Sequence, residues 1–347
     1  MLKRMKLKNF TVFNDVDLQF SKNLNVIIGE NGMGKSHLLK LAYSIIARNY
    51  EVSQKDQVSI PTKANLQEEY ADKLIYVFRP ESLGRLVRRK QGRERCEIEL
   101  LFEDASLDCR FSFSTSSKKE VKIELLNKSW QEKAPVFLPT RELLSIYPNF
   151  TNIYKNNYLE YDETYYDTCV LLGALLAKGP REEKIKGLLS PLEDAMGGNI
   201  ILDKNGRFYL SMQGQGTMEM PLVAEGLRKL AMVARLIATG SLFDKGTLFW
   251  DEPEANLNPK LIKTVARVIM QLCQNGIQVF IATHSLFLLR ELEILSKKQD
   301  FSNLTTRYFG LKEDNGISVE QGNEIYDLET LTLLDEALLQ SDRYINL

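Results

Sequence analysis

Gly29, Glu30, Asn31, Gly32, Met33, Gly34, Lys35 and Ser36 follow the order G-x-x-x-x-G-K-S, in which each fixed position has a chemical task. The glycines let the backbone wrap a phosphate chain with its N–H groups turned inward. The lysine neutralises the terminal phosphates, and the serine hydroxyl ligates Mg²⁺. At average residue frequencies the pattern arises by chance in roughly one chain in a hundred of this length. Its flanks narrow that further: Leu24 to Ile28 reads as a buried strand entering the loop, and Ser36 to Arg48 as a helix whose N-terminus faces the phosphates. His37, in the first turn of that helix, is a further candidate contact.

A second group of chemistry-bearing residues lies far downstream. Thr247 to Trp250 is an apolar strand delivering Asp251 and Glu252 at its carboxyl end, where an open parallel sheet binds its ligands. Asp251 fits a Mg²⁺ role through water, and Glu252 fits a general base that polarises an attacking water. Pro259 to Gln274 reads as an amphipathic helix opened by proline. Ile277 to Ala282 is the next strand, ending at Thr283-His284-Ser285. A parallel strand–helix–strand unit of this length places His284 beside the carboxylates, as a sensor of the γ-phosphate. The chain has two histidines, and both fall next to proposed phosphate contacts.

The elements that must hold these groups are legible in outline. The 347 residues, 44% of them hydrophobic, suffice for a globular protein with a substantial core. Its 45 basic and 46 acidic side chains nearly cancel, so no global field draws it to nucleic acid or membrane. Cys96, Cys109, Cys169 and Cys273 lack metal-ligand spacing and read as reduced structural thiols. The start has no apolar core of secretory-signal length and no run reaches the ~20 apolar residues of a membrane helix, so a cytoplasmic protein is expected.

Leu2 to Phe20 alternates as a two-stranded antiparallel ribbon leading into the phosphate loop. The polar stretch Val52 to Asp72 reads as a surface excursion, and Leu74 to Phe78 as a short strand. Arg85 to Arg95 carries six basic residues in eleven, a run that can grip the phosphates of DNA, although a solvated loop is the commoner explanation. Cys96 to Leu126 forms an antiparallel meander and Pro135 to Pro139 a further strand. Tyr154 to Ala177 and Arg181 to Met196 read as two helices joined at Lys178-Gly179-Pro180, with tyrosines packed on a neighbour. Ile200 to Met212 is a hairpin turning at Asn205-Gly206, Gln213 to Thr217 a loop, and the next helix opens near Val223 and runs to Ile237. A hairpin near Asn315-Gly316 and a helix from Leu328 to Gln340 close the chain.

Three blocks carry a family resemblance: Gly29 to Ser36, Asp251-Glu252-Pro253-Glu254-Ala255-Asn256-Leu257-Asn258-Pro259, and Thr283-His284-Ser285. They resemble the Walker A, Walker B with D-loop, and switch-histidine motifs of ABC-type ATPases, in the soluble branch of SMC, RecF-like and overcoming-lysogeny-defect (OLD) proteins. The variant GENGMGKS and the block DEPEANLNP are similar to those of bacterial phage-defence ATPases. The resemblance implies an α/β P-loop NTPase: one ABC-type head with a mixed-sheet core (1–50 and 240–347), a β-rich segment (51–150), a helical insert (151–196), and a hairpin with signature helix (197–239). It further implies ATP and Mg²⁺ as cofactors, hydrolysis, and an ATP-sandwiched homodimer in which a signature segment completes the partner's site. The matching segment is Ala224 to Lys229, with Gly226 and Arg228 available to a phosphate; Ala224 replaces the usual serine. The 190 residues from Ser36 to Gly226 are too few for a long coiled coil. A sensor or regulator in anti-phage defence, controlling a separate nuclease or toxin, is the implied function. A RecF-like repair ATPase and a transporter subunit are the alternatives. The 63 residues after His284 contain no D-x-D pair, so no fused nuclease is expected there.

Overall fold

A computed structural model describes residues 1–54, 61–88, 92–156, 159–177, 182–243, 246–313, 316–329 and 332–346. The chain opens with strands β1 (Leu2–Phe10), β2 (Phe13–Gln19) and β3 (Leu24–Ile28), then helices α1 (Lys35–Ser53) and α2 (Lys63–Phe78). Strands β4 (Arg95–Phe102), β5 (Cys109–Ser114), β6 (Lys122–Leu125) and β7 (Val136–Leu138) lead to helices α3 (Phe150–Lys155), α4 (Glu163–Leu172) and α5 (Glu182–Met196). Next come β8 (Gly198–Leu202), β9 (Phe208–Met212), β10 (Gly216–Glu219), α6 (Glu225–Ala238), β11 (Thr247–Asp251), α7 (Pro259–Gln274) and β12 (Gln278–Thr283). Helix α8 (Leu286–Ser296), strands β13 (Thr306–Glu313) and β14 (Ile317–Gly322), and α9 (Thr332–Ile345) complete it.

Within the described residues one eleven-stranded sheet runs β6-β5-β4-β1-β2-β14-β13-β3-β12-β11-β7. From β13 to β7 its neighbours are parallel, while β1, β2, β4, β5 and β6 pair antiparallel. The parallel half is covered on both faces, which explains its continuous apolar strands. Val26, Trp250 and Ile281 belong to the core beneath α5, α6 and α7, while Ile27, Phe249 and Phe280 belong to the core beneath α1 and α2. Each such side chain contributes about 1.5–3 kcal/mol on burial, so the strands that deliver the site are anchored from both sides. All four cysteines are buried and unpaired. Among the described residues no helix is long and apolar enough to cross a membrane.

The ribbon, the meander, the hairpin at Gly206 and helices α6 and α7 lie where the sequence places them. Three readings need correction. Residues 63–78 form a helix, not an excursion and a strand: Leu66, Tyr70, Leu74 and Val77 recur at helical spacing and are fully buried. Thr62 caps its start by accepting from the Asn65 amide at 3.3 Å, and Arg79, left-handed at φ 54° before Pro80, ends it. The 51–150 segment therefore mixes helix and strand, and its β7 joins the parallel half of the main sheet beside β11. The expected helix 154–177 is two shorter ones, because Asp162 caps α4 anew through the Thr164 amide. Gly216 and Thr217 belong to a third strand, β10, paired with β9. Tyr154, Tyr161, Tyr165 and Tyr166 do pack on the core, as expected; Tyr158 lies outside the described residues.

Candidate nucleotide site

The candidate groups meet at the carboxyl edge of the parallel strands. Strand β3 enters the loop 29–36, β11 ends in Asp251, and β12 ends in Thr283 just before His284. Gly32 and Gly34 adopt φ of 85° and 87°, so successive loop amides turn one way. At Gly34 a Cβ would lie 2.6 Å from Val12 and 2.9 Å from Phe13, which makes glycine sterically necessary where the loop meets the β1–β2 turn. Lys35 folds back on this loop, donating to the carbonyls of Gly29 (2.8 Å) and Glu30 (2.9 Å). Burial lowers its pKa, while Glu252, Asp251, Glu254 and Glu30 favour its charge.

Burial pushes the Asp251 carboxyl above its usual range, and the nearby Ser36 hydroxyl pulls the other way. Among the described residues Asp251 Oδ1 is buried with no hydrogen-bond partner. An unmatched buried lone pair beside a serine hydroxyl fits a hard cation's water shell, so Ser36 and Asp251 are the residues that could hold Mg²⁺. Glu252 sits in the left-handed region at φ 46°, a conformation costing roughly 1–3 kcal/mol outside glycine. Its amide donates to the Ala282 carbonyl (2.9 Å), and its Oε1 lies 3.1 Å from His284 Nδ1. Behind it, Glu254 accepts from the Thr283 hydroxyl at 2.5 Å, and burial raises its pKa too.

His37 sits apart from this cluster. Its ring packs edge-on against Phe78, burial holds its pKa down, and its Nδ1 has no hydrogen-bond partner among the described residues. It lines a cavity of about 810 Å³ bounded also by Val12, Glu30, Asn31, Met33 and Arg88. Among the described residues of the basic run, Arg85 pairs with Glu81, Arg95 pairs with Glu124, and Arg88 lines the cavity. Arg89, Lys90 and Gln91 lie outside the described residues.

The signature segment differs most from expectation. A Cβ on Gly226 would lie 2.6 Å from the Asn256 carbonyl, so this glycine admits the chain's own D-loop. Asn256 in turn donates to Glu225 at 2.8 Å. Arg228 is not free: its Nε lies 2.9 Å from buried Glu142, on the loop after β7. Neither Glu142 nor Lys229 received a role from the sequence. Lys229 is 2% exposed, and burial lowers its pKa to about 8 against the pull of Glu254, Glu252, Asp251 and Glu225. Its place on the buried face of α6, four residues before Val233, was a usable signal.

A phosphate loop, paired carboxylates and a histidine at the edge of this mixed sheet are the arrangement of a P-loop NTPase with an ABC-ATPase-like head. The chain belongs to the family described as "AAA domain, putative AbiEii toxin, Type IV TA system", whose model matches residues 24–290. Among curated proteins it is 19% identical over 354 residues to an ATP/GTP phosphatase of Helicobacter pylori, covering 91% of this chain and 93% of that protein. It is 27% identical over 99 residues to the DNA replication and repair protein RecF of Streptococcus suis; that match spans 28% of this chain and only 23% of the relative. In fold it is similar to the SMC head domain of Thermotoga maritima (TM-score 0.52, 14% identity, 92% and 98% covered). It is likewise similar to a Pyrococcus furiosus Smc head solved with the C-terminal domain of ScpA (TM-score 0.54, 12% identity, 99% of each chain).

Proposed function

We propose that this chain binds ATP with Mg²⁺, hydrolyses it, dimerises head to head around it, and uses the cycle to regulate a separate effector protein in bacterial anti-phage defence. The observation that carries the ATPase reading is the 3.1 Å approach of His284 to Glu252, beside the unpartnered Asp251 oxygen and the Ser36 hydroxyl. In this reading Lys35 exchanges the Gly29 and Glu30 carbonyls for the β- and γ-phosphates. Loop amides and the N-terminus of α1 receive the phosphate oxygens. Glu252 accepts a proton from the attacking water while His284 holds its carboxylate and meets the γ-phosphate. Mg²⁺, when bound at Ser36 and Asp251, supplies charge neutralisation between the phosphates. Leu222, 72% exposed just before α6, gives the signature end an apolar surface for a second head.

Defence is supported by the motif resemblance; the family's description names a putative toxin of a type IV TA system. Repair is favoured by the RecF matches, and the basic residues at 85–95 are its candidate DNA contacts. The ATPase part is tested on purified protein with Mg²⁺: ATP turnover is expected, and its absence would sink the reading. The two settings separate in cells carrying the native locus with Lys35→Ala. Lost protection against phage supports defence, whereas intact protection with new sensitivity to DNA damage supports repair.

A further inference from the structure

Lys229 is nearly fully buried, yet among the described residues it forms no ion pair; its amino group donates to backbone carbonyls, that of Glu252 at 2.5 Å and that of Ala255 at 3.5 Å. A lysine buried in this way is costly unless its hydrogen bonds matter. The carbonyl it binds belongs to the one residue at the strand end with a left-handed backbone and a carboxylate facing His284. Glu252 is thereby pinned on both sides of its Cα, by the Ala282 carbonyl at its amide and by Lys229 at its own carbonyl. The same ammonium reaches Ala255, one residue before Asn256, whose backbone lies against Gly226. Helix α6 thus carries Gly226 and Glu225 at its first turn and, one turn on, the group that holds Glu252.

We propose that Lys229 is a positioning residue for hydrolysis, fixing the left-handed backbone of Glu252 so that its carboxylate faces the attacking water. It also transmits movement of the signature end of α6 to that carboxylate in the same protomer. The proposal rests on the ATPase reading above. Closure of a second head against the N-terminus of α6 would therefore act on the base through one rigid helix and one ammonium, and turnover would follow dimerisation rather than precede it.

The test compares wild type, K229M and K229R in steady-state ATP hydrolysis and nucleotide titration. K229M keeps the length of the side chain without its donor. It should lower kcat by about 10²-fold, the scale of a catalytic group misplaced by about 1 Å, while KM and ATP affinity stay within about twofold. K229R, which keeps charge and donors, should recover at least about tenfold of that loss. In the E252Q background K229M should lower the residual rate no further, because it acts only through the missing base. An unchanged kcat in K229M would overturn the proposal, as would a loss that multiplies with E252Q or one that appears in ATP affinity. Should K229M fail to fold, K229Q carries the same comparison. Failure of the ATPase reading itself is separate, since wild type would then show no turnover.

Discussion

Arg228 Nε lies 2.9 Å from Glu142 Oε1, joining the first turns of the signature helix to the loop that leaves β7 beside the Asp251 strand. The Glu142 side chain is only 4% exposed, and it also accepts from the Ser145 hydroxyl at 2.5 Å. Removing one member of such a pair leaves a buried charge without compensation. R228A should therefore lose roughly 3 kcal/mol of stability, read by urea unfolding, whereas an R228A/E142L double variant should recover part of it. Equal losses in the single and double variants would show that the pair is not the cause.

Substitutions at the nucleotide site should separate binding from hydrolysis. K35A removes the main counter-charge of the triphosphate and should abolish ATP binding in a titration. E252Q should keep ATP bound, slow hydrolysis and accumulate a dimer in solution mass measurements. H284A should lower kcat by about 10²-fold while leaving affinity nearly intact. Normal turnover in E252Q would remove Glu252 from the role of base.

The placement of these groups was legible in the sequence because Glu252 and His284 directly follow strand ends and Lys35 closes a fixed loop motif at the start of α1. Residues 63–78 misled because Leu74 to Phe78 is an unbroken apolar run, indistinguishable over five residues from a buried strand. Only the four-residue recurrence back to Leu66 reveals the helix. The partners of Arg228 and Lys229 were out of reach for another reason. Glu142 is 86 residues before Arg228, and Lys229 binds backbone carbonyls, which carry no residue identity. The glycine of the signature segment was read as room for a partner's nucleotide, while its nearest neighbour in the fold is its own D-loop.

That neighbour changes what a bulky residue at position 226 should do. With its Cβ 2.6 Å from the Asn256 carbonyl, G226V must displace the D-loop even in an isolated head. Asn256 holds a left-handed φ of 62° and its side chain donates to Glu225, while the Ala255 and Leu257 amides donate to the Glu252 and Glu254 carbonyls, so a displacement at Asn256 spreads over 252–258. G226V should block ATP-driven dimerisation, measured by mass in solution, and should also change protease sensitivity at 252–258 in the monomer without nucleotide. Loss of dimerisation with an unchanged cleavage pattern would assign the glycine wholly to the interface.

The helical insert is fastened to the phosphate-loop helix by charge, and this should show in the pH dependence of stability. Lys73, with no exposed side-chain surface, lies 2.6 Å from Glu51 on α1, and 3.1 Å from Glu163 and 3.2 Å from Asp167 on α4. Tyr43 of α1 also donates to Asp167 at 2.5 Å. Burial raises the Glu163 carboxyl to about 7; Lys73 opposes the shift, and Asp167 and Glu51 add to it. Between an unfolded value near 4.5 and that folded value, the folded chain keeps a proton that the unfolded chain has lost. Stability from this group is therefore fully present below pH ~4.5 and is lost as pH rises through ~7. Glu163→Gln removes the titration, so the melting temperature of the variant minus that of wild type should climb across this window. A constant difference from pH 4.5 to 7.5 would mean that Glu163 is already ionised in the fold at the acid end.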